Sequence, residues 1–117
     1  MFVRPQRAPY MTRSQDLATS VPAPSSADQL EWLRAMLEIR AFEGECHRMF
    51  AAGLVRGSTH LCDGQEGVVV GATRALRPGD TMTCTYRGHG AVLALGAPLD
   101  RSFGEILGKA DGLCGGK

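Results

Sequence analysis

From Thr85 to Gly90 the chain reads "TYRGHG", which sets a phenol, a guanidinium and an imidazole within four residues, interleaved with glycine. These types suit the capture of an anion. Arg87 offers a planar, permanently charged fork, Tyr86 a hydroxyl donor, and Gly88 and Gly90 leave the backbone accessible. The cluster falls where a β-branched run, "TMTCTY", gives way to a short helix expected over Ala91–Leu95. Free N–H groups and the helix dipole favour negative charge at such a junction. An equally ordinary arrangement pairs Arg87 with a carboxylate such as Glu66 and buries Tyr86 in the core. Residue types alone leave both open.

A second candidate is His60 in "HLCDGQE", just ahead of a capped helix start and close to Gln65 and Glu66. A histidine there can meet a substrate carbonyl or carboxylate, or serve as a hydrogen-bonded structural group. His89, between two glycines, has the same two readings, with loop shaping favoured. His47 is expected to pack on its helix. Cys46, His47, His60 and Cys62 carry zinc-ligand chemistry, but their spacing fits no zinc module. Adjacent helical residues also point about 100° apart, so no metal site is expected here. The four cysteines are widely separated with no C-x-x-C, as for reduced thiols.

These residues need elements to hold them. Asp28 precedes Glu31 by three residues, so a helix capped at Asp28 is expected over Gln29–Ala52, ending at Gly53. On its wheel Glu31, Arg34, Glu38 and Glu45 form the wet face. Arg40, Glu43 and His47 fall instead among Met36, Ile39 and Phe50. Arg40 and Glu43 are i,i+3 neighbours, either a solvated pair or a buried polar link to another segment. Asp63 and Glu66 repeat the capping pattern ahead of a small, apolar helix over Gly64–Leu76. "RPGD" is a turn, Thr81–Thr85 a predicted strand, and Asp100 or Ser102 caps one more helix. The tail "GKADGLCGGK" reads as loop, and residues 1–27, with four prolines, as a disordered leader.

At 117 residues, 44% hydrophobic and 21% charged, the chain has room for one modest core. No stretch is apolar for long enough to span a bilayer, and no membrane role is expected. A net charge of +1 supplies no global field for nucleic acid, so any anion must be recognised locally. Eleven arginines against two lysines suit anion binding, although base composition of the gene gives the same bias.

Taken in order, "IRAFE" (Ile39–Glu43), "HLCDGQE" (His60–Glu66), "YRGHG" (Tyr86–Gly90), "LALG" and the glycine-rich tail resemble the α subunit of the thiamine-diphosphate-dependent 2-oxo acid dehydrogenase E1 component. That family includes pyruvate, branched-chain 2-oxo acid and acetoin dehydrogenases. The resemblance covers about residues 29–117. It implies an α/β fold, in which 28–117 form the N-terminal helices and first strand of a thiamine-diphosphate-binding domain, cut short. It also implies that Tyr86 and Arg87 bind the cofactor's diphosphate and that His60 lines the substrate pocket.

The implied partners are an E1 β subunit, a lipoyl-bearing E2 protein and a small 2-oxo acid or acetoin substrate. The implied location is the bacterial cytoplasm, with the mitochondrion as second choice. The sequence stops at "CGGK", where the family continues with Gly-Ser-Met-His and then the magnesium motif. Magnesium ligands are therefore expected beyond Lys117, and the isolated chain is expected to be inactive. The competing reading is a non-catalytic fragment that acts as a subunit-interaction module. In-frame downstream DNA encoding the missing motifs would favour the enzyme, and a stop followed by unrelated sequence the module.

Overall fold

The computed structural model describes residues 23–117, so most of the expected leader, residues 1–22, lies outside the described residues. Helix α1, Ser26–Ala51, is followed by α2, Glu66–Arg74, then α3, His89–Ala94, and α4, Leu99–Ile106. Among the described residues there is no strand. The expected strand at Thr81–Thr85 is irregular chain, because a strand exists only through ladder partners and no segment among the described residues supplies one. The α/β class is to that extent not shown, and the described chain is helical.

Helix α1 starts earlier than its sequence implied. Ser25, not Asp28, is the N-cap: its hydroxyl accepts from the Asp28 N–H at 3.2 Å. Asp28 sits at the third helical position and its carboxylate accepts the Ser25 N–H at 2.9 Å, which closes a reciprocal capping box. At the far end Gly53 takes a φ of 73° and releases the chain. The buried strip of α1 runs through Ile39, Phe42, Glu43 and Cys46, flanked by the partly buried Trp32, Ala35, Met36 and Met49. His47 and Phe50, expected on the packed side, are exposed, since no element among the described residues covers that arc.

The core joins Ile39, Phe42 and Cys46 of α1 to Cys62, Val70 of α2 and Leu93 of α3. Phe103 of α4 completes it, its ring centroid 4.4 Å from that of Phe42. Two ion pairs tie α2 to α1. Arg74 meets Glu31 at 2.8 Å, and Arg40 grips Glu66 through Nε and Nη2 at 2.6 and 3.0 Å. The expected cap from Asp63 is absent: Gln65 stands at the N-cap without a side-chain bond, and the Asp63 carboxylate lies 2.6 Å from Arg40 Nε. A charged partner from another helix outcompetes a local cap.

Helix α4 likewise lacks its expected cap. Pro98 is the N-cap residue, and the Ser102 hydroxyl donates back to the Pro98 carbonyl at 2.8 Å. The glycine-rich tail is irregular, as expected, and is held on α4. Glu105 accepts the N–H groups of Cys114, Gly116 and Lys117 at 2.7, 2.9 and 3.1 Å. Gly112 passes so close that an added Cβ would lie 2.7 Å from the Glu105 backbone nitrogen.

Candidate functional site

Three segments converge over the middle of α1: the connection through His60–Cys62, the loop Tyr86–Gly88, and His89 at the start of α3. Tyr86 is 70% exposed, so it is not a core residue. Its ring stands 4.7 Å from that of His60 at 58°, and the Arg87 guanidinium carbon lies 5.7 Å from the centre of the Tyr86 ring. Arg87 donates through Nη1 to the Leu61 carbonyl, the residue beside His60. Among the described residues Arg87 has no carboxylate partner. Glu66, its alternative partner by sequence, is held by Arg40. The side-chain bond from Arg40 is the main reason the Glu66 carboxyl sits at about 2, well below its ordinary 4.5. The structure thus brings His60, Tyr86 and Arg87 into one exposed patch.

Beneath that patch lies a group the sequence only hinted at. Glu43 is fully buried, and does not pair with Arg40. Its Oε1 accepts the Cys62 N–H at 3.3 Å and the Cys62 thiol at 3.0 Å. His89 Nδ1 lies 3.1 Å from both carboxylate oxygens. A carboxylate only accepts, which assigns the proton to Nδ1. Burial pushes the Glu43 carboxyl up, but bonds from His89 and Cys62 outweigh it and hold the group below its usual value. Burial, reinforced by the Glu43 charge, pushes the Cys46 and Cys62 thiols up to about 12. The legible signal was the placement of Glu43 in the apolar arc of the wheel; its partners, distant in sequence, were not legible.

Glu43, Cys46 and His89 form a group of three possible metal ligands among the described residues. The Glu43 carboxylate is satisfied by His89 and Cys62, and no buried side-chain nitrogen or oxygen among the described residues is left unpartnered. The zinc combination weighed from sequence is dispersed, with Cys46 and Cys62 buried and His47 and His60 exposed. Beside the patch a cavity of about 300 Å³ opens between Phe42, Tyr86, His89, Val92, Ile106 and Leu113. It is largely apolar, with a few polar groups at its margin, in the manner of small-ligand sites.

A family model for the "Dehydrogenase E1 component" matches residues 34–117, a span that contains every residue of this site. The chain belongs to that family. Among its relatives is the α subunit of acetoin:2,6-dichlorophenolindophenol oxidoreductase from Bacillus subtilis, 49% identical over 87 residues, or 74% of this chain and 26% of the relative. The α subunit of the pyruvate dehydrogenase E1 component from Zymomonas mobilis is 42% identical over 101 residues, 83% of this chain and 28% of the relative. The mitochondrial E1 α subunit of pyruvate dehydrogenase from Solanum tuberosum is 32% identical over 109 residues, 93% of this chain and 28% of the relative. This E1-family chain therefore spans about a quarter of the length of the relatives it matches. No helix among its described residues is long and apolar enough to cross a membrane.

Proposed function

We propose that these residues form one wall of the thiamine-diphosphate site in the α subunit of a 2-oxo acid or acetoin dehydrogenase. Tyr86 and Arg87 bind the cofactor's diphosphate, and His60 faces the substrate. The observation that carries this reading is the state of Arg87. Its guanidinium is exposed, has no carboxylate partner among the described residues, and is anchored beside His60 by a single bond to a carbonyl. The remaining N–H groups of its fork are available to phosphate oxygens, with the Tyr86 hydroxyl alongside. Each such charge-assisted bond contributes about 1.5–3 kcal/mol.

The cofactor, when bound, supplies a nucleophilic carbon for cleavage next to the substrate's oxo group. The chain's own part is to hold the diphosphate with Tyr86 and Arg87, to orient the substrate's polar end with His60, and to exclude water. Magnesium favours six hard oxygen ligands, whereas the Glu43, Cys46 and His89 group offers one carboxylate, one thiol and one imidazole. The ion is accordingly assigned to oxygens from outside these residues. Thr81–Thr85 becomes the first strand of a parallel sheet once further strands lie beside it, which restores the α/β class.

The partners in this reading are an E1 β subunit and a lipoyl-bearing E2 protein, in the bacterial cytoplasm. An exposed apolar strip on α1, with Leu30, Leu33 and Leu37 at 68%, 48% and 60% exposure, supports a subunit contact. That strip is also what favours the second reading, a subunit-interaction module without activity of its own. Turnover separates the two. In the full-length polypeptide assembled with its partner subunit, His60→Ala is expected to lower kcat for a 2-oxo acid or acetoin while cofactor affinity stays near that of the unmutated protein. An assembled protein that binds its partner but turns over none of these substrates would favour the module.

A further inference from the structure

Glu43 has no part in the contacts proposed above, yet it is a fully buried carboxylate in the middle of an apolar core. Burying an acid costs free energy that an apolar side chain of similar volume avoids. What the carboxylate does is join two segments. One oxygen accepts both donors of Cys62, two residues after His60, and both oxygens face His89, two residues after Arg87. The segments also touch directly: a Cβ added at Gly90 would lie 2.7 Å from Cys62 Sγ. Phe42 sets the imidazole from the side, edge to face at 5.9 Å and 74°. Arg87 closes the circuit through its bond to Leu61.

We propose that Glu43 is a positioning residue that registers the His60 segment against the Tyr86–Arg87 loop, and so fixes the distance between the substrate contact and the diphosphate contact. The proposal rests on the cofactor reading given above. Registration matters because a displacement of about 1 Å at reacting groups can cost on the order of a hundredfold in rate. Glu43→Gln keeps an acceptor oxygen for Cys62 but turns an amide N–H toward His89 Nδ1. His89→Phe keeps the ring volume against Phe42 and removes the donor.

The test uses the full-length polypeptide assembled with its partner subunit. Thiamine diphosphate affinity is measured by calorimetric titration with magnesium present, and steady-state kinetics at saturating cofactor. Each variant is expected to raise the cofactor Kd on the order of tenfold and to lower kcat with little change in substrate KM. The double variant is expected to be no worse than the weaker single one, because the pair acts as a unit. A purely structural role would lower the thermal midpoint and leave Kd and kcat of the folded protein unchanged, which overturns the proposal, as do additive losses. If Glu43→Gln does not fold, His89→Phe alone decides, since that ring is partly exposed. Arg87→Ala separates the layers. If it binds cofactor normally the cofactor reading fails, and if it binds weakly while Glu43→Gln and His89→Phe behave as the unmutated protein, only the registration fails.

Discussion

Gly90→Ala is expected to destabilise the chain, against the usual direction of such a change within a helix. Replacing a helical glycine ordinarily gains about 0.5–1 kcal/mol, because the unfolded chain loses freedom and the helix gains a favourable residue. At Gly90 the added Cβ would stand 2.7 Å from Cys62 Sγ, 3.4 Å from an Ile39 methyl and 3.5 Å from a Val69 methyl. Non-bonded heavy atoms rest at about 3.5–4.0 Å, so the sulfur must retreat by roughly 1 Å. It is poorly placed to do so, being fully buried and hydrogen-bonded to Glu43 at 3.0 Å. Overpacking of this kind costs about 1–3 kcal/mol, which leaves a net loss of up to about 2.5 kcal/mol after the helical gain. For a domain of this size each kcal/mol moves the thermal midpoint by about 4–8 °C. Urea and thermal denaturation followed by circular dichroism would measure it. Cys62→Ala in the same background should recover most of the loss, because the two side chains compete for one space. A Gly90→Ala protein as stable as the unmutated chain, or strictly additive losses in the double variant, would refute this reasoning.

The Arg40 bond that holds Glu66 near 2 makes stability depend on acid. The folded value is depressed, so the contribution is complete above about 4.5 and is lost as pH falls through about 2. Urea midpoints should fall across that window, and Arg40→Ala should flatten the fall; identical pH profiles would contradict the pairing. Ser25→Ala removes the hydroxyl that caps α1 and should cost about 1 kcal/mol in the same denaturation assay, with Asp28→Ala affecting the same helix end. Aromatic disulfide reagents at neutral pH should modify Cys84 and Cys114 readily. Cys46 and Cys62, buried and pushed up to about 12, should react only on unfolding. Four equally fast thiols would mean that the core is not closed.

The four helices of the described residues were legible because their signals are local: apolar spacing, acids near helix starts, and glycine or proline at the ends. What misled was competition from distant residues. Asp63 and Glu66 have the spacing of a cap, but Arg40, more than twenty residues away, takes both carboxylates. Asp28 belongs to a capping box, but at its inner position: Ser25 is the cap, and Glu31, the expected inner partner, pairs with Arg74 instead. Thr81–Thr85 has strand-forming residues and no ladder, since pairing is a property of a neighbour and not of the segment. In the candidate site, Tyr86, Arg87 and His60 stood out by type and motif. The link between them did not, because Glu43 is one acid on a long helix and its partners lie 19 and 46 residues away.

The central claim is that the exposed fork of Arg87 is held ready for a diphosphate. Calorimetric titration of thiamine diphosphate with magnesium into the full-length assembled protein, with and without Arg87→Ala, tests it most directly. Loss of a single charge-assisted bond should weaken binding by about tenfold to about a hundredfold with the fold intact. Equal affinity in the two proteins would contradict the assignment of Arg87, and with it the wall of the site built around "TYRGHG".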